Sequence, residues 1–146
     1  MHSVERSILV PYSAKQMFDL VADCDKYPEF MPWCGGASVS ERDEHGLLAS
    51  ITIAFGGLKQ TFTTRNRHEY PSKIHLALVD GPFSDLTGEW EFVPLTEDAC
   101  KVLFSLHYTF SSRTLEALVG PIFNRIANSF IESFTDRAQA CYGDKV

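Results

Sequence analysis

Tyr27, Phe30, Met31 and Trp33 fall within eight residues, YPEFMPWC (27–34), with Pro28 and Pro32 between them. Side chains of these types are neither nucleophiles nor acid–base groups at neutral pH. They offer apolar area, worth roughly 25 cal/mol per Å² when removed from water. Proline interrupts the run too often for a strand or a long helix. It is also too apolar for an ordinary surface loop, so it must cap a core or cover a pocket. The groups suited to acid–base work lie elsewhere and are scattered. Strand alternation sends His75 and His107 outward, His68 falls at a strand end, and Asp80 and Asp85 flank a loop. No inward His–carboxylate pair results, and neither G-x-S-x-G nor a metal-ligand spacing occurs. Catalysis and a metal are therefore not expected. Cys24, Cys34, Cys100 and Cys141 show no CxxC and no zinc-type pairing with histidine. They read as reduced thiols, mostly small buried hydrophobes.

The chain has 146 residues, which fits one domain spanning 1–146 with a full core. Its aromatic fraction is 12%, supplied largely by 11 Phe, so the interior is either wide and ring-filled or not completely filled. A net charge of −6 excludes diffuse attraction to nucleic acid phosphates, and DNA is not an expected partner. No stretch approaches the roughly 18 apolar residues of a membrane span. The N-terminal MHSVERSILVPYS has no apolar signal core and is a poor mitochondrial presequence, so a cytoplasmic protein is expected.

The elements that must position these residues follow from periodicity. Residues 3–10 alternate as a strand with Val4, Ile8 and Val10 on one face, and Pro11 stops it. Ser13 and Gln16 form a capping box ahead of a helix carrying Met17, Phe18, Leu20 and Val21. Asp25 is placed to cap a further short turn. From Ala37 the period becomes two. Residues 47–55 put Leu47, Ala49, Ile51, Ile53 and Phe55 inward, and Gly56-Gly57 signals a hairpin. Strand 58–68 turns Leu58, Phe62 and Thr64 inward, and 73–79 does the same with Ile74, Leu76 and Leu78. Residues 81–86 read as a loop, and 87–93 direct Gly88, Trp90 and Phe92 inward. In 101–110, Val102, Phe104, Leu106, Tyr108 and Phe110 alternate with mostly polar residues, as in an antiparallel sheet wet on one side. A capped helix at 113–142, kinked at Gly120-Pro121, carries a continuous apolar stripe and spans roughly 45 Å at about 1.5 Å per residue. Only a strongly curved sheet supplies a trough that long.

This order, with VPYSAKQMFDLVADCDKYPEFMPWC (10–34), FTTRNR (62–67), GPFSDLTGEWEF (81–92), CKVLFSLHYTFSS (100–112) and LVGPIFNRIANSFIESFTDRAQACYG (118–143), resembles the coenzyme Q-binding family. That family belongs to the START and polyketide cyclase-like, or helix-grip, superfamily and includes bacterial ribosome association toxins. The resemblance implies an α+β fold, in which a curved antiparallel sheet of about seven strands wraps a long C-terminal helix, with two short helices after strand 1. It also implies an apolar cavity between sheet and helix. For the eukaryotic members it implies ubiquinone binding in support of respiration, and for the bacterial ones docking on the large ribosomal subunit and hindrance of subunit joining.

On that fold the expected function is non-catalytic binding of ubiquinone or a similar isoprenoid lipid. A toxin docking on the ribosome is the alternative, and a cyclase-like enzyme a remote one. The expected cavity lining is Phe55, Phe62, Leu76, Leu78, Trp90, Phe92, Phe104, Leu106, Tyr108, Ile122, Ile126 and Phe130. Trp90 and Tyr108 also carry polar tips able to meet a quinone oxygen. Tyr27, Phe30, Met31 and Trp33 then become a gate over the mouth, with a permanently packed corner as the competing reading. Lys59, Arg65, Arg67, Lys73 and Lys101 on the sheet's outer face, and Arg113, Arg125 and Arg137 on the last helix, are the candidates for contact with RNA phosphates. Peripheral attachment at the inner membrane is an alternative to a free cytoplasmic location.

Overall fold

The computed structural model describes residues 2–143; Met1 and 144–146, the ends of the single expected domain, lie outside the described residues. Seven strands form one antiparallel sheet in the order β1-β7-β6-β5-β4-β3-β2. They are β1 (His2–Val10), β2 (Cys34–Asp43), β3 (Gly46–Phe55), β4 (Leu58–Glu69), β5 (Lys73–Asp80), β6 (Phe83–Thr96) and β7 (Ala99–Phe110). Between β1 and β2 lie α1 (Ala14–Ala22) and a 3-10 turn, Cys24–Glu29, and the chain closes with α2 (Arg113–Tyr142). The sheet curves around α2, and its concave face carries the core.

Local chemistry accounts for the element ends. Ser13 caps α1 through the capping box, its hydroxyl accepting from the Gln16 N–H at 3.1 Å while the Gln16 side chain accepts from the Ser13 N–H at 2.9 Å. Ser112 caps α2 by accepting from the Leu115 N–H at 3.1 Å. α2 is a single helix with Pro121 inside it. Pro121 points to solvent, where water can meet the carbonyl its missing N–H leaves unpaired. Gly88 lies on the inner face of β6, where a Cβ would stand 2.8 Å from a Leu106 methyl and 3.0 Å from the Ser105 carbonyl oxygen. Only glycine lets the strands crowd together there, and such a position favours a bend.

Two expectations about boundaries are corrected. Residues 83–86, read as part of a loop, belong to β6, with Phe83 and Leu86 buried. Gly81 and Pro82 mimic a loop, but they only turn the chain into the strand. The short turn after α1 begins at Cys24, one residue before Asp25, with Asp23 flanking it. On α2, Leu118 and Cys141, expected on the apolar stripe, are exposed; Leu118 turns to solvent while its neighbour Val119 is buried.

The first strand and the last helix are tied side by side. His2 Nε2 lies 3.0 Å from Glu116, and Arg6 pairs with Glu132 and donates to the Asn128 carbonyl at 2.5 Å. The Tyr12 hydroxyl donates to the Gly143 carbonyl at 2.9 Å, and the Tyr142 hydroxyl to the Gln16 carbonyl at 3.1 Å. Among the described residues no helix is long and apolar enough to cross a membrane.

Candidate ligand cavity

Alternation along the strands places short or half-buried side chains over the middle of the sheet, and α2 does not reach down to fill the gap. The result is a cavity of about 70 Å³ between sheet and helix. Its floor is Ala49, Ile51, Phe62, Thr64, Asn66, Ile74 and Leu76, with Leu86, Trp90 and Leu106 beside them. Phe123, Phe130 and Phe134 of α2 form its roof, and Val21, Cys24, Tyr27 and Trp33 close one end. A water molecule needs roughly 10–15 Å³ of such space, so several would fit. Ligand pockets run to about 300–1,000 Å³. A substituted quinone therefore enters only if the walls part.

Of the expected lining, the structure brings together Phe62, Leu76, Trp90, Leu106 and Phe130. Phe104 and Phe92 are buried outside the lining, Phe104 tilted against Trp90 at a centroid distance of 4.3 Å and Phe92 parallel to it at 6.3 Å. Tyr108 is buried beside Phe123, and its hydroxyl donates to Asn124, so its polar tip is taken. Ile126 is buried outside the lining, and Ile122 and Leu78 are half-buried against the core. Phe55 is corrected outright: it is 42% exposed. It ends β3 next to the Gly56-Gly57 turn, where the concave face extends past everything that could cover it.

The YPEFMPWC segment forms one end wall. Met31 and Trp33 are buried. Trp33 leans on Phe130 at 5.6 Å, while Tyr27 and Phe30 meet Phe134 at 5.3 and 5.7 Å. The Arg137 guanidinium covers the Phe30 ring at 4.8 Å. Tyr27 donates to the Val21 carbonyl at 2.5 Å, and burial pushes its phenol well above the usual range. In this state the segment is packed rather than open.

Sequence reasoning missed the polar part of the cavity. Asn66 continues the inward alternation of β4 past Thr64, and that parity was the available signal. Both residues are 5% exposed. The Thr64 hydroxyl donates to Asn66 Oδ1 at 2.7 Å, and Asn66 Nδ2 donates to the Cys24 sulfur at 3.7 Å. Burial pushes the Cys24 thiol up to about 11, so it stays protonated at neutral pH. The indole N–H of Trp33 is buried without a hydrogen-bond partner. No Lys, Arg, His, Asp or Glu lines the space.

Outside, Arg65 pairs with Glu41 at 3.3 Å, Lys73 with Glu89 at 3.4 Å and Arg137 with Glu29 at 2.9 Å. Lys59, Arg67, Lys101, Arg113 and Arg125 have no ion pair among the described residues, leaving their charges available to a partner.

The sequence pattern of the family described as polyketide cyclase/dehydrase and lipid transport matches residues 10–135. A Vibrio cholerae protein named ribosome association toxin RatA is 45% identical over 144 residues, 99% of this chain and all of that one. A mitochondrial coenzyme Q-binding protein of Drosophila melanogaster is 29% identical, over 89% of this chain and 57% of its own length. The solved structure of a Streptomyces aromatase/cyclase superposes with a TM-score of 0.76 at 17% identity, covering 94% of this chain and 93% of that one, a likeness of fold.

Proposed function

The chain belongs to the polyketide cyclase/dehydrase and lipid transport family, with its START-like fold, and from that premise we propose that it docks on the large ribosomal subunit and hinders subunit joining. The observation that carries this reading is the end-to-end 45% identity with the Vibrio cholerae ribosome association toxin. Shape-specific contact, with Lys59, Arg67, Lys101, Arg113 and Arg125 meeting individual phosphates or ribosomal protein side chains, needs no overall basic charge. Docking of this kind requires no bond to be made or broken. Cosedimentation with isolated large subunits at low salt is the direct assay. The protein pellets with them on this reading; a protein left entirely in the supernatant ends it.

A second reading stands on a different surface. The apolar cavity, with its buried unpaired N–H, favours uptake of ubiquinone or another hydrophobic molecule, the role named in the Drosophila relative. Burial of apolar area would drive it, and the end wall at 27–34 would have to yield. Organic extraction of the purified protein should then release a long apolar molecule. Extracts that repeatedly hold none, from protein shown to be folded, count against it.

A further inference from the structure

The polar groups of the cavity are all neutral, and those left unspent are hydrogen-bond donors. Trp33 offers an indole N–H that nothing accepts. Asn66 Nδ2 carries two hydrogens, and its partner is the Cys24 sulfur, a weak acceptor at 3.7 Å. The other groups are committed: Asn66 Oδ1 takes the Thr64 proton, and the Tyr27 hydroxyl gives its own proton to Val21 while its oxygen accepts from the Cys24 thiol at 3.6 Å. A buried donor without an acceptor is costly, so these groups gain most from a guest that brings one. A carboxylate guest would bring acceptors too, but also a charge that no cation in the lining offsets, and an unpaired buried charge costs far more than one hydrogen bond returns. A cationic head meets the same objection, because no carboxylate lines the space.

We propose that the cavity selects an uncharged apolar molecule bearing one hydrogen-bond acceptor, a ketone, quinone or ester, whose oxygen is received by Trp33 Nε1 and Asn66 Nδ2, and that it discriminates against free fatty acids. This rests on the second reading above, that the cavity takes a ligand at all, and adds the chemistry of the head group. The walls at Phe123, Phe130 and Phe134 receive the apolar remainder without directional demands.

Three probes of equal chain length test it: 2-octanone, octane and octanoate at pH 7, titrated into the ¹⁵N-labelled full chain. The two tryptophans, Trp33 and Trp90, give two indole N–H signals, assigned with Trp33→Phe. The ketone should move the Trp33 indole proton downfield and bind about tenfold more tightly than octane, the worth of one or two neutral hydrogen bonds. Octanoate should bind more weakly than either. Trp33→Phe should bring ketone affinity down towards that of octane while leaving octane unchanged. Octanoate binding as tightly as the ketone, or a ketone no better than octane, overturns the selectivity alone. Binding by none of the three removes the ligand cavity itself. If Trp33→Phe does not fold, Asn66→Leu supplies the loss of selectivity, and the rank order with the wild-type chain still decides.

Discussion

One helix lies on one sheet, yet the two ends of their interface are built differently. Where α2 begins, Phe83, Tyr108, Phe110 and Phe123 interlock, with Phe83–Phe110 centroids at 5.1 Å and Tyr108–Phe123 at 4.8 Å. Helix and sheet lie close there: a Cβ added at Gly120 would stand in ordinary contact with the Phe110 ring, at 3.6 Å. Farther along, over β3, β4 and β5, the sheet presents Ala49, Ile51, Thr64, Asn66 and Ile74, and the helix bridges a void. At one end rings of the sheet itself reach the helix; at the other, short and polar side chains of β3 and β4 leave a hollow beneath the rings of α2. The apolar pattern is equally continuous over both, so the difference lies in side-chain volume, which decides whether a buried face is core or container.

The largest effect that would break this contrast is at the filled end. Phe83→Ala should cost about 3–5 kcal/mol, read from urea denaturation, because its ring has packed neighbours on several sides. A loss under about 1 kcal/mol would mean that end is not tightly packed. Next comes one substitution made twice. Ala127→Leu, at a fully buried position outside the cavity lining, should overpack and cost about 1–3 kcal/mol. Ala49→Leu, whose new atoms can enter the void, should cost less than about 1 kcal/mol while weakening octane uptake. Equal costs would erase the distinction.

Smaller still is Tyr108→Phe, which removes the hydroxyl given to Asn124 and should cost about 0.5–1.5 kcal/mol at pH 7. Burial pushes this phenol up to about 12. The unfolded chain releases the proton near pH 10 and the folded one near 12, so its stabilising contribution is intact below about pH 10 and is lost as the pH rises through 12. Thermal melts should therefore fall less steeply between those values in Tyr108→Phe than in the wild type. The slightest perturbation is chemical: Cys141 is exposed and should react with a thiol reagent in the native protein. The buried Cys24 and Cys100, whose thiols burial raises to about 11, should react only on unfolding. Early labelling of Cys24 would show that the hollow end opens readily.

Much of the architecture was legible because it is written in periods of two and 3.6. The inward faces of β1, β3 and β7, the capped helices and the hairpin at Gly56-Gly57 all follow from local pattern. Where periodicity meets its limits, the reading departs. Phe55 has the right parity, but parity does not reveal where the helix stops covering the sheet. Gly81 and Pro82 concealed the first turn of β6. Half of the cavity is in the same position: Val21, Cys24, Ala49, Ile51, Ile74, Leu86, Phe123 and Phe134 line it, yet whether an inward residue touches space or another side chain depends on the height of its neighbours. Asn66 was within reach, since it keeps the alternation of β4, but a polar residue at an inward position is easily passed over.

The ties between β1 and α2 have a consequence for how the protein comes into being. Strand β1 precedes every other element, yet its partner β7 and the helix that binds it through Glu116, Asn128 and Glu132 come last of those described. Until residues 99–143 exist, the early strands can pair with one another but have no helix to wrap, and their concave face stays open to water. Closure between the ends of the chain is the slow kind of contact, separated by more than a hundred residues. A growing chain is therefore an incomplete vessel until α2 has been made, and only then gains its interior and any cargo that interior takes.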